Sequence, residues 1–233
     1  MGDLPGQGQT SRAQKGQIDD FNTYHENILE WIKIANEYKI PTFVLGVGLG
    51  GLIILNLLEK TELPIEGILL FSPMLELKRD YKGCKNKLIS NVGKISKDTR
   101  FKVGITPQDL TRNDEIIEET ANDGLMLKKV TYSWYNLINE KMKETMDHIR
   151  DIKPISALIM YGTNDKILET QSINEMKDKL KSKEMYFKVW DGLYHEIHNE
   201  PERDLVMRYV LSFLNNSVNT MGFIVNEEEI EDI

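Results

Sequence analysis

The chain has 233 residues, 40% of them apolar, enough to bury one full core and to suggest a single α/β domain carrying an insertion. Its net charge of −8 argues against a nucleic-acid partner or an anionic membrane surface. A single cysteine, Cys84, excludes an internal disulfide, and its place among the lysines of Lys82 to Lys87 reads as incidental. The most apolar run, Phe43 to Leu58, is cut by glycines and too short to span a bilayer, so with no signal peptide evident the chain is expected to be cytoplasmic.

Residues 3 to 17 are rich in Gly, Gln and Ser, a composition that by itself predicts a flexible tail. Asp20 to Tyr38 carries apolar residues at helical spacing, including Phe21, Tyr24, Ile28 and Ile32. Pro41 closes that connection. Thr42 to Leu45 then predicts a short strand buried on both faces, followed by a helix through Leu52, Leu55 and Leu58. Ile65 to Phe71 predicts a second buried strand, parallel to the first through the crossover helix. From Met74 to Arg150 charges are dense and apolar stripes short, which predicts an inserted helical cap over residues 74–150. Ile155 to Tyr161 and Met185 to Trp190 predict two further strands, with helices over Ser172 to Leu180 and Asp204 to Leu214. Residues 220–233 form an acidic tail expected to be a solvated end.

The first predicted strand runs into Gly46-Val47-Gly48-Leu49-Gly50-Gly51, which fits two devices. One is the G-x-G-x-x-G turn of a dinucleotide site. That fingerprint also needs an acidic residue about 20 residues on, at the end of the next strand, to hold the ribose. Here that strand ends in Leu70-Phe71-Ser72, without a carboxylate, so no nucleotide cofactor is expected. The other device is a nucleophile elbow, in which a strand turns sharply into a helix and raises one side chain above the sheet. The raised position is Gly48, which has no side chain.

Two later segments favour the elbow. Gly162-Thr163-Asn164-Asp165 follows one predicted strand and Gly192-Leu193-Tyr194-His195-Glu196 follows the next. Both loops leave the C-terminal edge of the sheet, where ligands of open α/β sheets gather. The order elbow, Asp, His is that of an α/β-hydrolase triad. No grouping of His, Cys and carboxylates has metal spacing, so no metal is expected either.

These segments, with Asp3 to Thr10, Phe71-Ser72-Pro73 and Asn199-Glu200-Pro201-Glu202-Arg203, resemble the bacterial lysophospholipase and monoacylglycerol lipase branch of the α/β-hydrolases, also described as serine-aminopeptidase-like hydrolases. The resemblance covers nearly all of the chain outside the acidic tail. It implies an α/β-hydrolase fold with a mostly parallel sheet and flanking helices, Asp165 as triad acid, His195 as triad base, and the N–H of Leu49 as an oxyanion-hole donor. It also implies esters of acylglycerol or lysophospholipid type as substrates, with the cap supplying an acyl pocket.

The chain departs from that pattern where the family elbow reads Gly-His-Ser-Met-Gly-Gly and this one Gly-Val-Gly-Leu-Gly-Gly. The family's first strands, with a His-Gly loop that completes the oxyanion hole, have no counterpart ahead of Asp3. The expectation is therefore an esterase-family chain impaired in catalysis, with a non-catalytic acyl-ligand binder or a gene remnant as the alternative. A sheet without those strands would expose an edge and favour self-association. Ser72 and Ser11 are not on elbows and are poor substitutes for the missing serine. His25, His148 and His198 are expected to be buried or surface groups without a catalytic part.

Overall fold

Apolar runs that stop at glycine or serine turns become the strands of one parallel sheet. The computed structural model describes residues 2–10, 14–78 and 96–220. Its main sheet holds β1 (Phe43–Val47), β2 (Gly67–Phe71), β5 (Ser156–Gly162) and β6 (Met185–Trp190), in the spatial order β1-β2-β5-β6. All three pairings are parallel, so every strand delivers its C-terminal loop to the same edge. Between β2 and β5, β3 (Arg100–Lys102) and β4 (Lys129–Thr131) pair antiparallel as a separate small sheet.

The helices are α1 (Asn22–Asn36), α2 (Leu49–Leu58), α3 (Pro107–Leu110), α4 (Asp114–Asn122), α5 (Tyr132–His148), α6 (Gln171–Lys179) and α7 (Arg203–Thr220). Residues of β2 alternate between two cores, as a strand covered on both faces requires. Ile68 and Leu70 join the helices α1, α2, α5 and α6, whereas Leu69 and Phe71 join Val206, Val210 and Phe213 of α7. Helix α2 is apolar apart from Asn56 and buried from Gly51 to Leu58, because α1, α5 and the sheet enclose it. Each leucine buried this way stabilises the fold by about 1.5–3 kcal/mol. The helix is thus a rigid support directly behind the turn at Gly48.

Strand β1 differs from its expected burial. Leu45 is 47% exposed, because β1 is the outer strand and pairs with β2 alone among the described residues. An apolar strand sequence shows that a strand is buried somewhere, not that it is central. The 74–150 segment also holds more than the helices expected of it. Strands β3 and β4 tie down the opening loop, with Thr131 N–H donating to Gly16 O at 2.8 Å and the Arg100 guanidinium to Lys15 O. That loop, expected from its composition to be a flexible tail, is thereby held, and Gly6 is buried within it. Helix α5 lies on α2 and α1 through Ile138 and Met142 and through a hydrogen bond from Trp134 Nε1 to Tyr24 Oη. Cys84 and the acidic tail beyond residue 220 lie outside the described residues, as does Ser11.

Candidate active site

The turn between β1 and α2 is held entirely by its backbone. Gly48 N–H donates to Phe71 O at 3.0 Å, and Gly48 O accepts from Gly51, Leu52 and Met74. Gly48 has φ 52° and ψ −114°, a conformation that side chains adopt only under strain. The flanking glycines answer close packing: a Cβ on Gly46 would lie 2.6 Å from Gly51 N, and one on Gly51 2.8 Å from Pro73 Cβ. The spacing that mimics a dinucleotide fingerprint is accounted for by contacts inside the turn. Leu49 opens α2, so its N–H has no partner within the helix and lies at the positive end of the helix dipole.

Facing Gly48 is His195. A Cβ built on Gly48 would stand 3.1 Å from His195 Nε2 and 3.7 Å from its Cε1. The elbow therefore aims its raised position at this imidazole, and the ring sits close enough that a side chain there would push it back by a few tenths of an ångström. On its other side His195 Nδ1 lies 2.8 Å from Asp165 Oδ2. An ionised carboxylate only accepts, so Nδ1 donates, and Nε2 is the ring nitrogen that faces Gly48.

Asp165 is fully buried, yet its carboxyl is held below the ordinary range. Burial alone would raise it. The hydrogen bond and charge of His195, with the backbone N–H groups of Leu168 and Ile167, outweigh that. Those two amides donate to Oδ1 at 2.9 and 2.8 Å, leaving Oδ2 for His195. Lys78 donates through Nζ to the Asp165 carbonyl.

The loops that carry Asp165 and His195 are also joined to each other. Asn164 N–H donates to Leu193 O at 3.0 Å, and Gly192 N–H to Thr163 Oγ1 at 2.8 Å. Gly162 permits this approach, since a Cβ there would stand 2.1 Å from Leu193 O. The result is an oriented Asp–His pair opposite an empty elbow. Such a pair can take a proton from an oxygen nucleophile, but the chain places no hydroxyl at Gly48.

The family model described as "Serine aminopeptidase, S33" matches residues 1–202. The chain belongs to this family. It is similar to the phospholipase YtpA of Bacillus subtilis (strain 168), with 31% identity over 219 residues that cover 94% of this chain and 84% of that protein. Among solved structures, the monoacylglycerol lipase of Paleococcus ferrophilus superposes with a TM-score of 0.78 at 21% identity, covering 91% of this chain and 81% of that one. A soluble variant of monoglyceride lipase from Saccharomyces cerevisiae, in complex with a substrate analog, superposes with a TM-score of 0.80 at 18% identity, covering 92% and 76%. The fold is that of the α/β-hydrolases.

Other residues considered from the sequence fall outside the Asp–His–Gly48 arrangement. Ser72 is buried at the end of β2 with φ 42°, and its Oγ has no hydrogen-bond partner among the described residues, so no base activates it. His25 is buried between α1 and α2, where burial first, then Lys60 and Lys141, lowers its pKa to about 4. His148 is exposed on α5 beside Asp151. His198 stands near Phe71, and burial lowers its pKa. Sequence reasoning in this serine aminopeptidase-family chain did not assign roles to Arg112, Lys78 or Glu200. Only Glu200 had a signal, as part of the family-like run Asn199 to Arg203.

Proposed function

We propose that this chain is an esterase-family protein in which the acid and base of the triad persist and covalent catalysis is lost. The observation that carries the reading is Gly48, in the elbow conformation and turned at His195 Nε2, with no oxygen to offer. In this reading Asp165 fixes the ring of His195, Nε2 is the proton acceptor, and the N–H of Leu49 is the donor to the oxyanion. The bond that a serine would make to the acyl carbon cannot form. A water beside Nε2 would be the remaining nucleophile, without the effective molarity of a tethered hydroxyl.

The substrate class follows from the relatives, named as a phospholipase and as monoacylglycerol lipases: an acyl ester of glycerol or of a lysophospholipid. The test is turnover of a monoacylglycerol and a short-chain p-nitrophenyl ester by the native chain and by Gly48→Ser. We expect the native chain to match buffer and Gly48→Ser to exceed it. Native turnover that disappears in His195→Ala and is abolished by a fluorophosphonate adduct would show a working protein nucleophile elsewhere and reject the reading.

A further inference from the structure

Behind His195 lies a buried ionic group that the triad chemistry does not use. The Glu200 side chain is fully buried and accepts three N–H groups. Its Oε1 takes the backbone N–H of Tyr194 at 3.2 Å and that of Arg112 at 3.1 Å, and its Oε2 takes Arg112 Nε at 2.6 Å. Tyr194 immediately precedes His195. On the other side of the histidine, Glu196 N–H donates to Leu110 O at 2.8 Å, and Thr111 Oγ1 donates to Asn199 O at 2.9 Å. Both neighbours of His195 are thus fixed to the short stretch Leu110 to Arg112, which comes from the inserted segment. The same insertion reaches the acid loop, where Lys166 Nζ donates to Gln108 O at 3.3 Å.

A buried carboxylate costs stability unless donors replace its water, and here each donor also sets a position. Asp165 alone fixes the ring of His195 along one direction. A serine at the elbow would give Nε2 a second partner, and glycine does not, so the placement of the ring depends more heavily on its backbone. We propose that Glu200 is a positioning residue for His195. Through Tyr194 and Arg112 it clamps the base loop against the insertion and keeps Nδ1 on Asp165 and Nε2 on Gly48. The assignment rests on the reading of His195 as the base. Glu202 meets only the outer, exposed end of the Arg112 guanidinium and has no part in the clamp.

The test is solvent exchange of the His195 Nδ1–H proton, observed by NMR in the intact chain and assigned by its loss in His195→Gln. Native protein, Glu200→Gln, Arg112→Gln and Glu202→Gln are compared at a temperature where their circular dichroism spectra overlay. Glu200→Gln keeps shape and one acceptor oxygen, so it is read even if Glu200→Ala fails to fold. Exchange should accelerate about ten- to a hundredfold in Glu200→Gln and Arg112→Gln and stay at the native rate in Glu202→Gln. Unchanged exchange in the first two, with only a lower melting temperature, would make the ion pair a brace of the fold and overturn the proposal. A native chain lacking a protected His195 proton would overturn it too. None of these readings uses turnover, so they stand apart from the esterase test.

Discussion

The elbow after β1 and the paired loops after β5 and β6 face each other across one sheet edge, but only the loops bring polar side chains to it. The elbow keeps its shape because backbone groups hold it: Gly48 N–H on Phe71 O, and Gly48 O on the amides of Gly51, Leu52 and Met74. The loops share backbone bonds too, but add side chains as struts: Asp165 on two amides and His195, and Glu200 on Tyr194 and Arg112. Losing one side chain therefore leaves the elbow standing. Losing one from the loops removes part of the scaffold itself.

The sharpest way to break that comparison is to supply the serine and then remove the acid. In a Gly48→Ser background, Asp165→Asn should lower fluorophosphonate labelling by about 10⁴-fold, because the wrong tautomer of His195 is then favoured. Equal labelling with and without the carboxylate would mean that Asp165 does not orient the base.

Gly48→Ser alone should raise kcat on the same ester above that of the native chain, which offers no oxygen at the elbow. No gain would mean that His195 does not activate the new hydroxyl. The same substitution should also lower stability by about 1–3 kcal/mol in urea denaturation, because φ 52° is strained for any side chain and His195 must yield. An unchanged midpoint would mean that the elbow relaxes around the serine.

How much of this was legible in the sequence depends on the range of each interaction. The elbow, Asp165 and His195 each follow an apolar run by a few residues, so a local pattern marks them. The burial of β1 is not legible, because Leu45 looks the same in an outer strand as in a central one. Strands β3 and β4 are short and charged, with Arg100, Lys102 and Lys129, and give no alternating pattern. The Arg112–Glu200 pair joins positions 88 residues apart, and nothing in either neighbourhood announces the other.

A smaller effect separates the site from its supporting helices. Between α1, α2 and α5, Glu59 is raised to about 7, chiefly by burial, and His25 is lowered to about 4, also chiefly by burial. The contribution of Glu59 is fully present below its unfolded value near 4.5 and is lost as pH rises through 7. That of His25 is present above 6.5 and is lost as pH falls through 4. The two slopes oppose each other over the shared window. His25→Gln should therefore unmask a stability that falls steadily from pH 4.5 to 7, and Glu59→Gln one that rises from pH 4 to 6.5, each followed by urea midpoints. A flat profile in both variants would remove these groups from the account.

The central claim, that the family's acid and base survive here without a nucleophile, is tested most directly by the intact mass of the native chain after exposure to a fluorophosphonate. The account predicts the unmodified mass for the native chain and a single adduct at residue 48 in Gly48→Ser. A stoichiometric adduct on the native chain that vanishes in His195→Ala would contradict it, and the modified peptide would name the nucleophile.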